Sequence, residues 1–226
     1  MSRTPFALIT GSARRIGASI AARLHQRGCN VILHYHSSRG EAEALAEELN
    51  HTRPESAHLV QADLVDIHGP SALAQAVSQL CDGLDVLVNN ASRFYPTPVE
   101  AATPDEWKDL MGSNLRGPFF LTQALLPMLR FAGGSVVNIV DIHAEKPMRK
   151  HTVYCMAKAG VAMMTRSLAR ELGPDIRVNG VSPGAIMWPE NEPSEAVQKH
   201  ILDRTVMKRI GAPSDIASAV AFPVSY

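Results

Sequence analysis

Residues 6–28, FALITGSARRIGASIAARLHQRG, decide the fold. The apolar run at 6–10 leads into the glycine turn TGSARRIG at 10–17; Ile16, Ile20 and Leu24 then fall four apart, on one face of a helix that should stop at Gly28. Strand, glycine turn and amphipathic helix together form the context of a phosphate-binding loop. Gly11 lets the chain turn tightly and Gly17 lets the helix approach the sheet, while the helix N-terminus, with Ile16 in its first turn, offers unpaired N–H groups to a pyrophosphate. Arg15 fills the slot where many such loops carry another glycine. The plain alternative is an ordinary strand-to-helix turn.

Working outward, five more short apolar runs alternate with helix-length segments: VILHY at 31–35, HLVQ at 58–61, LDVLVNN at 84–90, SVVNIV at 135–140 and IRVNGVS at 176–182. Their near-continuous Val, Ile and Leu content suits strands buried on both faces of a parallel sheet. A helix over 42–49 has Glu41, Glu43, Glu47 and Glu48 as a solvated face. The expected fold is a single α/β domain spanning 1–226, a doubly wound, Rossmann-like parallel sheet with its ligand beyond the carboxyl ends of the strands. The proline-rich segment 184–195 reads as a loop covering the substrate, within a loop-and-helix region at 184–208; Trp188 is its lid or its hydrophobic anchor.

Composition narrows the function classes. The 22 basic and 22 acidic side chains cancel, so no net field draws the chain to nucleic acid or anionic lipid. With 46% hydrophobic and 19% charged residues the chain can build a core, and no apolar run approaches the ~18 residues of a membrane helix. Cys29, Cys81 and Cys155 form neither a disulfide framework nor a metal-ligand pattern, and MSRTP enters FALIT without the longer apolar region of a signal peptide. A reducing, cytoplasmic setting is expected, with no metal.

At the end of the second strand, where an NAD site usually carries Asp or Glu, stand His36, Ser37, Ser38 and Arg39. A carboxylate would repel a 2′-phosphate, whereas Arg14, Ser37, Ser38 and Arg39 supply donors and positive charge, so NADPH/NADP+ is preferred; taken singly, each is equally a solvated loop residue. Asp63, followed by Leu64 in QADL, sits where an adenine amino group finds an acceptor. NNAS ends the fourth strand, where Asn90, Ala91 and Ser92 approach the cofactor; Asn89 does the same or merely ties strands together. Tyr154 and Lys158, four apart on a helix, put a phenol beside an ammonium, which should lower the tyrosine pKa from ~10 toward the range of proton transfer.

The ordered set of glycine turn, NNAS, strand, YxxxK and then Pro183-Gly184 resembles the short-chain dehydrogenase/reductase family from residue 6 to the end. The resemblance implies that Tyr154 relays the proton, that Lys158 holds the nicotinamide ribose and lowers the tyrosine pKa, and that Asn114 in GSNLRG completes a water-linked relay. Gly11, Arg14, Arg15, Ile16, Gly17, His36, Ser37, Ser38, Asp63, Leu64, Asn90, Ala91, Ser92, Pro183 and Gly184 would line the dinucleotide, and a homotetramer would be the assembly. Read without the family, Asn114 is a helix-surface amide.

One position departs from the family pattern. Where carbonyl-reducing members generally place a serine, thirteen residues before Tyr154, stands Asp141. A hydroxyl stabilises a developing oxyanion, whereas a carboxylate repels it but binds or protonates a ring nitrogen. The plain alternative is that Asp141 caps the following segment. With TGSARRIG, LHYHSSRGEAEALAEELN, QADL, NNASRFYPTP and YCMAKAG, Asp141 also resembles the pteridine reductase branch. There Phe94 would stack a pterin against the nicotinamide, Arg15 would lie near pyrophosphate and substrate, Ser92 would touch cofactor and ligand, and Asp141 with Tyr154 would supply the proton. Without the family, Phe94 reads as packing; Tyr95 serves the ligand or the core.

The expected activity is thus NADPH-dependent reduction of pterins, biopterin or folate, with two rivals: a ketone or 3-oxoacyl-thioester reductase with Asp141 incidental, and a catalytically impaired NADPH-binding protein. The family continues past AFPVSY through a further parallel strand, so an unpaired sheet edge is expected, and Pro223 falls inside the last helical pattern.

Overall fold

The computed structural model describes residues 3–188 and 194–224. Six strands form, β1 (Phe6–Ile9), β2 (Asn30–Tyr35), β3 (Ala57–Gln61), β4 (Val86–Asn89), β5 (Ser135–Ile139) and β6 (Arg177–Val181), all parallel in the order β3-β2-β1-β4-β5-β6. The chain starts in the middle, winds out to β3 and returns to build the other half from β4. The strand order therefore reverses between β1 and β4, where Leu8 pairs with Ile32 on one side and Leu87 on the other.

Among the described residues eight α-helices form: α1 (Arg15–Gln26), α2 (Arg39–Thr52), α3 (Gly69–Ser78), α4 (Pro104–Met111), α5 (Gly117–Ala132), α6 (Thr152–Leu172), α7 (Glu195–Arg204) and α8 (Pro213–Ala221). The apolar runs are nearly continuous because each strand feeds two cores. Ala7 and Ile9 pack with Ile20, Leu24 and Val220 on one face; Leu8 between them packs with Leu73, Leu87, Leu121 and Leu125 on the other. No helix among the described residues is long and apolar enough to cross a membrane.

Three local readings change. α2 runs three residues further at each end than the apolar spacing marks, because Arg39 to Glu41 and Asn50 to Thr52 lie on its rim, where burial gives no pattern. Pro223 is not within a helix: α8 ends at Ala221, and the proline lies in the turn beyond, where its carbonyl accepts a hydrogen bond from Arg177. Between α4 and α5 the backbone slips into a π-turn, Gly112–Arg116, which carries Asn114 inward instead of leaving it on the surface. The region expected to cover the substrate shows no regular element over 184–188, with Trp188 half-buried; α7 buries none of its residues, and positions 189–193 lie outside the described residues. β6 is an edge strand among the described residues, as expected.

Candidate active site

The cofactor end is built at the switch between β1 and β4. Gly11 adopts φ +62, and a Cβ there would lie 2.9 Å from Ala91 Cα; a Cβ on Gly17 would lie 2.2 Å from the Gly11 carbonyl oxygen and 2.7 Å from Asn90 Nδ2. Both sites admit hydrogen only. Arg15 also lies in the left-handed region, φ 56, the conformation for which related loops use glycine. No side chain caps α1, so its first N–H groups face the cavity unclaimed by a capping oxygen.

His34, which sequence reasoning passed over, fixes this turn. Its Nδ1 accepts from the Gly11 N–H at 3.1 Å, its Nε2 meets the Ala62 carbonyl at 3.1 Å, and its own carbonyl accepts from the Ser12 N–H at 3.0 Å. One imidazole thus joins β2, the glycine turn and the end of β3 as a neutral ring, donating from Nε2. Burial pushes its pKa down to about 4. The only sequence sign was a polar ring inside an apolar strand.

A cavity of about 460 Å³ opens here and gathers Gly11, Arg14, Arg15, Ile16, Gly17, His36, Ser37, Ser38, Asp63, Leu64, Asn90, Ala91 and Ser92, joined by the unforeseen His34 and Arg93. Asn90 Nδ2 donates to the Thr10 and Gly11 carbonyls at 2.9 and 3.0 Å, locking the end of β4 to the turn. Asn89 ties strands, donating to Asn138 Oδ1 at 2.8 Å. Asp63 Oδ1 accepts from the Val65 N–H at 2.9 Å, and Oδ2 lies 3.7 Å from His36 Nε2. Arg39 is not brought in: it is exposed and pairs with Glu43 one helical turn along at 2.7 Å.

The residues expected to be catalytic gather at the carboxyl end of β5. Tyr154 is buried on α6, and its hydroxyl donates to Asp141 Oδ2 at 2.7 Å. The other oxygen, Oδ1, accepts from the His143 N–H at 2.8 Å, so Asp141 caps the short 3-10 turn Ile142–Ala144 as well as holding the phenol. Lys158 is buried beneath, donating from Nζ to the Ile139 carbonyl at 2.9 Å and lying 5.7 Å from the Tyr154 ring centroid. The Pro183 carbonyl accepts from the Ile142 N–H at 3.2 Å, which sets Pro183-Gly184 against the residue after Asp141.

The electrostatics correct one expectation. The Tyr154 phenol is pushed above its ordinary range, not lowered: burial is the main cause, followed by the Asp141 charge and the hydrogen bond to it, with Ser92 a partial offset. Lys158 is not among the groups that move the phenol, and burial drives its own pKa down, to about 8. At neutral pH the phenol therefore keeps its proton, above a Lys158 that is still mainly charged.

Phe94 is 54% exposed, stacks on His151 at 4.6 Å and 12°, and meets Tyr154 edge-on at 4.9 Å and 79°. It is no buried packing residue. Tyr95 instead turns to α4, its hydroxyl donating to Asp109 Oδ2 at 2.9 Å. Asn114 is 2% exposed; it accepts from Ser92 Oγ at 2.5 Å and donates to the Arg93 carbonyl at 3.0 Å. His151 and Asp109 were not singled out in the sequence, since nothing in their spacing distinguishes them from a helix cap and a solvated carboxylate.

Comparison with known proteins agrees with this geometry. A family model described as enoyl-(acyl carrier protein) reductase matches residues 11–225. Pteridine reductase 1 of Leishmania tarentolae is 37% identical, over 96% of this chain and 89% of that protein. The 3-oxoacyl-[acyl-carrier-protein] reductase of Staphylococcus aureus strain N315 is 35% identical, over 100% and 92%. A ketoacyl reductase of the granaticin polyketide synthase from Streptomyces violaceoruber is 35% identical, over 96% and 88%. With the six-stranded parallel sheet and the Tyr154–Lys158 helix in place, these matches make the chain a member of the short-chain dehydrogenase/reductase family, oxidoreductases that use a nicotinamide cofactor.

Proposed function

We propose that the chain reduces pterins, dihydrobiopterin or dihydrofolate to the tetrahydro forms, with NADPH. The observation that carries this reading is the 2.7 Å hydrogen bond from Tyr154 to a carboxylate, Asp141, at the position where carbonyl reductases generally place a serine. A carboxylate beside the reacting atoms opposes an oxyanion and favours a protonatable nitrogen. The 37% identity to a pteridine reductase supports the same reading.

Bound at the β1–β4 switch, the dinucleotide supplies a hydride. The residues of this chain do the rest. Phe94 offers an aromatic face to a flat ring, with Ser92 and Asp141 as in-plane polar partners. The Tyr154–Asp141 pair would give a proton to the nitrogen of the C=N bond whose carbon receives the hydride, so that substrate, hydride and one proton balance as the tetrahydro product. Lys158 sets its ammonium below the phenol and would hold the nicotinamide ribose; Asn114 supports Ser92 and would extend the relay. The absence of a carboxylate among His36, Ser37 and Ser38, with Arg14 in the same cavity, supports NADPH over NADH.

The reading extends to a cytoplasmic homotetramer in which residues 184–188 and 194–208 flank the substrate; large apolar side chains left exposed on α5 and α6, Phe120, Phe131 and Met163 among them, support association. The similar identity to 3-oxoacyl-[acyl-carrier-protein] reductases favours a second reading, reduction of a 3-oxoacyl thioester. Oxidation of NADPH by the purified chain, with dihydrobiopterin, dihydrofolate or acetoacetyl thioester, tests both. Turnover confined to the dihydropterins is the expected result; turnover confined to the thioester overturns the pterin reading.

A further inference from the structure

Beyond β4 the segment carrying Phe94 belongs to no strand, and its successive residues 93, 94 and 95 make contacts on alternate sides. Arg93 and Tyr95 both reach α4. The Arg93 guanidinium pairs with Asp109 Oδ1, and the Tyr95 hydroxyl donates to Asp109 Oδ2 at 2.9 Å. Phe94, between them, meets the opposite wall, stacking on His151 and touching Tyr154 edge-on. Behind the segment, Asn114 accepts from Ser92 and donates to the Arg93 carbonyl, and Ser113 Oγ donates to the Asp109 carbonyl at 2.8 Å. Ahead of it, the Thr97 N–H donates to the Lys150 carbonyl at 2.6 Å, just before α6.

One carboxylate therefore holds the residues on both sides of the ring. Any rotation of the segment that swings Phe94 away from Tyr154 breaks both contacts to Asp109. We propose that Asp109, on α4 and away from the reacting atoms, is a positioning residue that fixes the Phe94 ring beside Tyr154 and thereby sets the affinity for flat heteroaromatic substrates. The identity of the substrate rests on the pterin reading; the positioning role rests on the contacts alone.

Steady-state kinetics of the full chain with NADPH and dihydrobiopterin test this. Asp109→Ala should raise KM about tenfold, with kcat and NADPH affinity within about twofold of the parent, since a contact surface that holds substrate equally in the ground and transition states acts on KM alone. Asp109→Asn, which keeps an acceptor for Tyr95, should recover part of the loss. Tyr95→Phe should raise KM less than Asp109→Ala, and the double variant should be no worse than Asp109→Ala, because both changes remove one shared contact. An unchanged KM in Asp109→Ala overturns the proposal, as does a loss of NADPH affinity equal to the rise in KM, which would mark general loosening. A parent active only on acetoacetyl thioester overturns the pterin reading and the assignment of flat heteroaromatic substrates together, whereas a parent that reduces dihydrobiopterin with no change of KM in Asp109→Ala overturns the positioning role alone. A parent inert to both overturns both.

Discussion

The chemistry turns on one exchanged functional group. Asp141 accepts from Tyr154 and from the His143 N–H at once, so its charge is spread over two donors and still raises the phenol. Asp141→Ser should lower dihydropterin turnover by about 10²-fold or more, the usual scale of a lost proton-transfer group, while raising activity toward acetoacetyl thioester; kcat for both substrates checks it. Persistent dihydropterin turnover at the parent rate would end the proton-transfer role. His34 makes a second prediction, one of acid stability. Its folded pKa of about 4 lies below the unfolded value of 6.5, so the unfolded chain binds the extra proton first as pH falls. Its contribution is complete above 6.5 and is lost as pH drops through 4, up to about 3 kcal/mol for the full shift. Urea unfolding of the parent between pH 7 and 4 should show that decline, and His34→Leu should flatten it.

Elements place these residues, and the sequence discloses elements unevenly. The six strands were legible to within two residues because both faces are buried, leaving compact apolar runs between polar turns. The glycine turn was legible because only a residue without a Cβ fits where Gly17 stands. Gly17→Ala should weaken NADPH binding by about 10- to 100-fold, the effect of about 1–3 kcal/mol of overpacking against the Gly11 carbonyl, with the fold retained by circular dichroism. What stayed hidden depends on pairings between distant segments. The inward turn of Asn114 needs a slipped helical ladder, which no spacing announces. Arg39 reads as a phosphate donor until Glu43 is seen to claim it one turn along α2. The lowered phenol expected from a neighbouring ammonium failed because spacing along α6 reports which side chains are close, not which is less hydrated; Asp141, thirteen residues away, outweighs Lys158, four away.

Across the whole molecule, the two cores are separated by the sheet, and Leu87 is fully buried in one of them. Leu87→Ala should cost about 2–5 kcal/mol and lower the melting temperature by roughly 5–15 °C for a domain of this size, read by calorimetry. The cavity draws its lining from the ends of β1, β2, β3 and β4, so both halves of the winding meet at it. A ligand that spans this junction clasps the halves together, and at about 100 times its dissociation constant it adds ~2.7 kcal/mol to the folded state. On the proposed reading, dinucleotide supply then governs survival as well as catalysis: in cells depleted of the cofactor the chain should open more often and be cleared faster by proteases, so its abundance would follow the size of the dinucleotide pool.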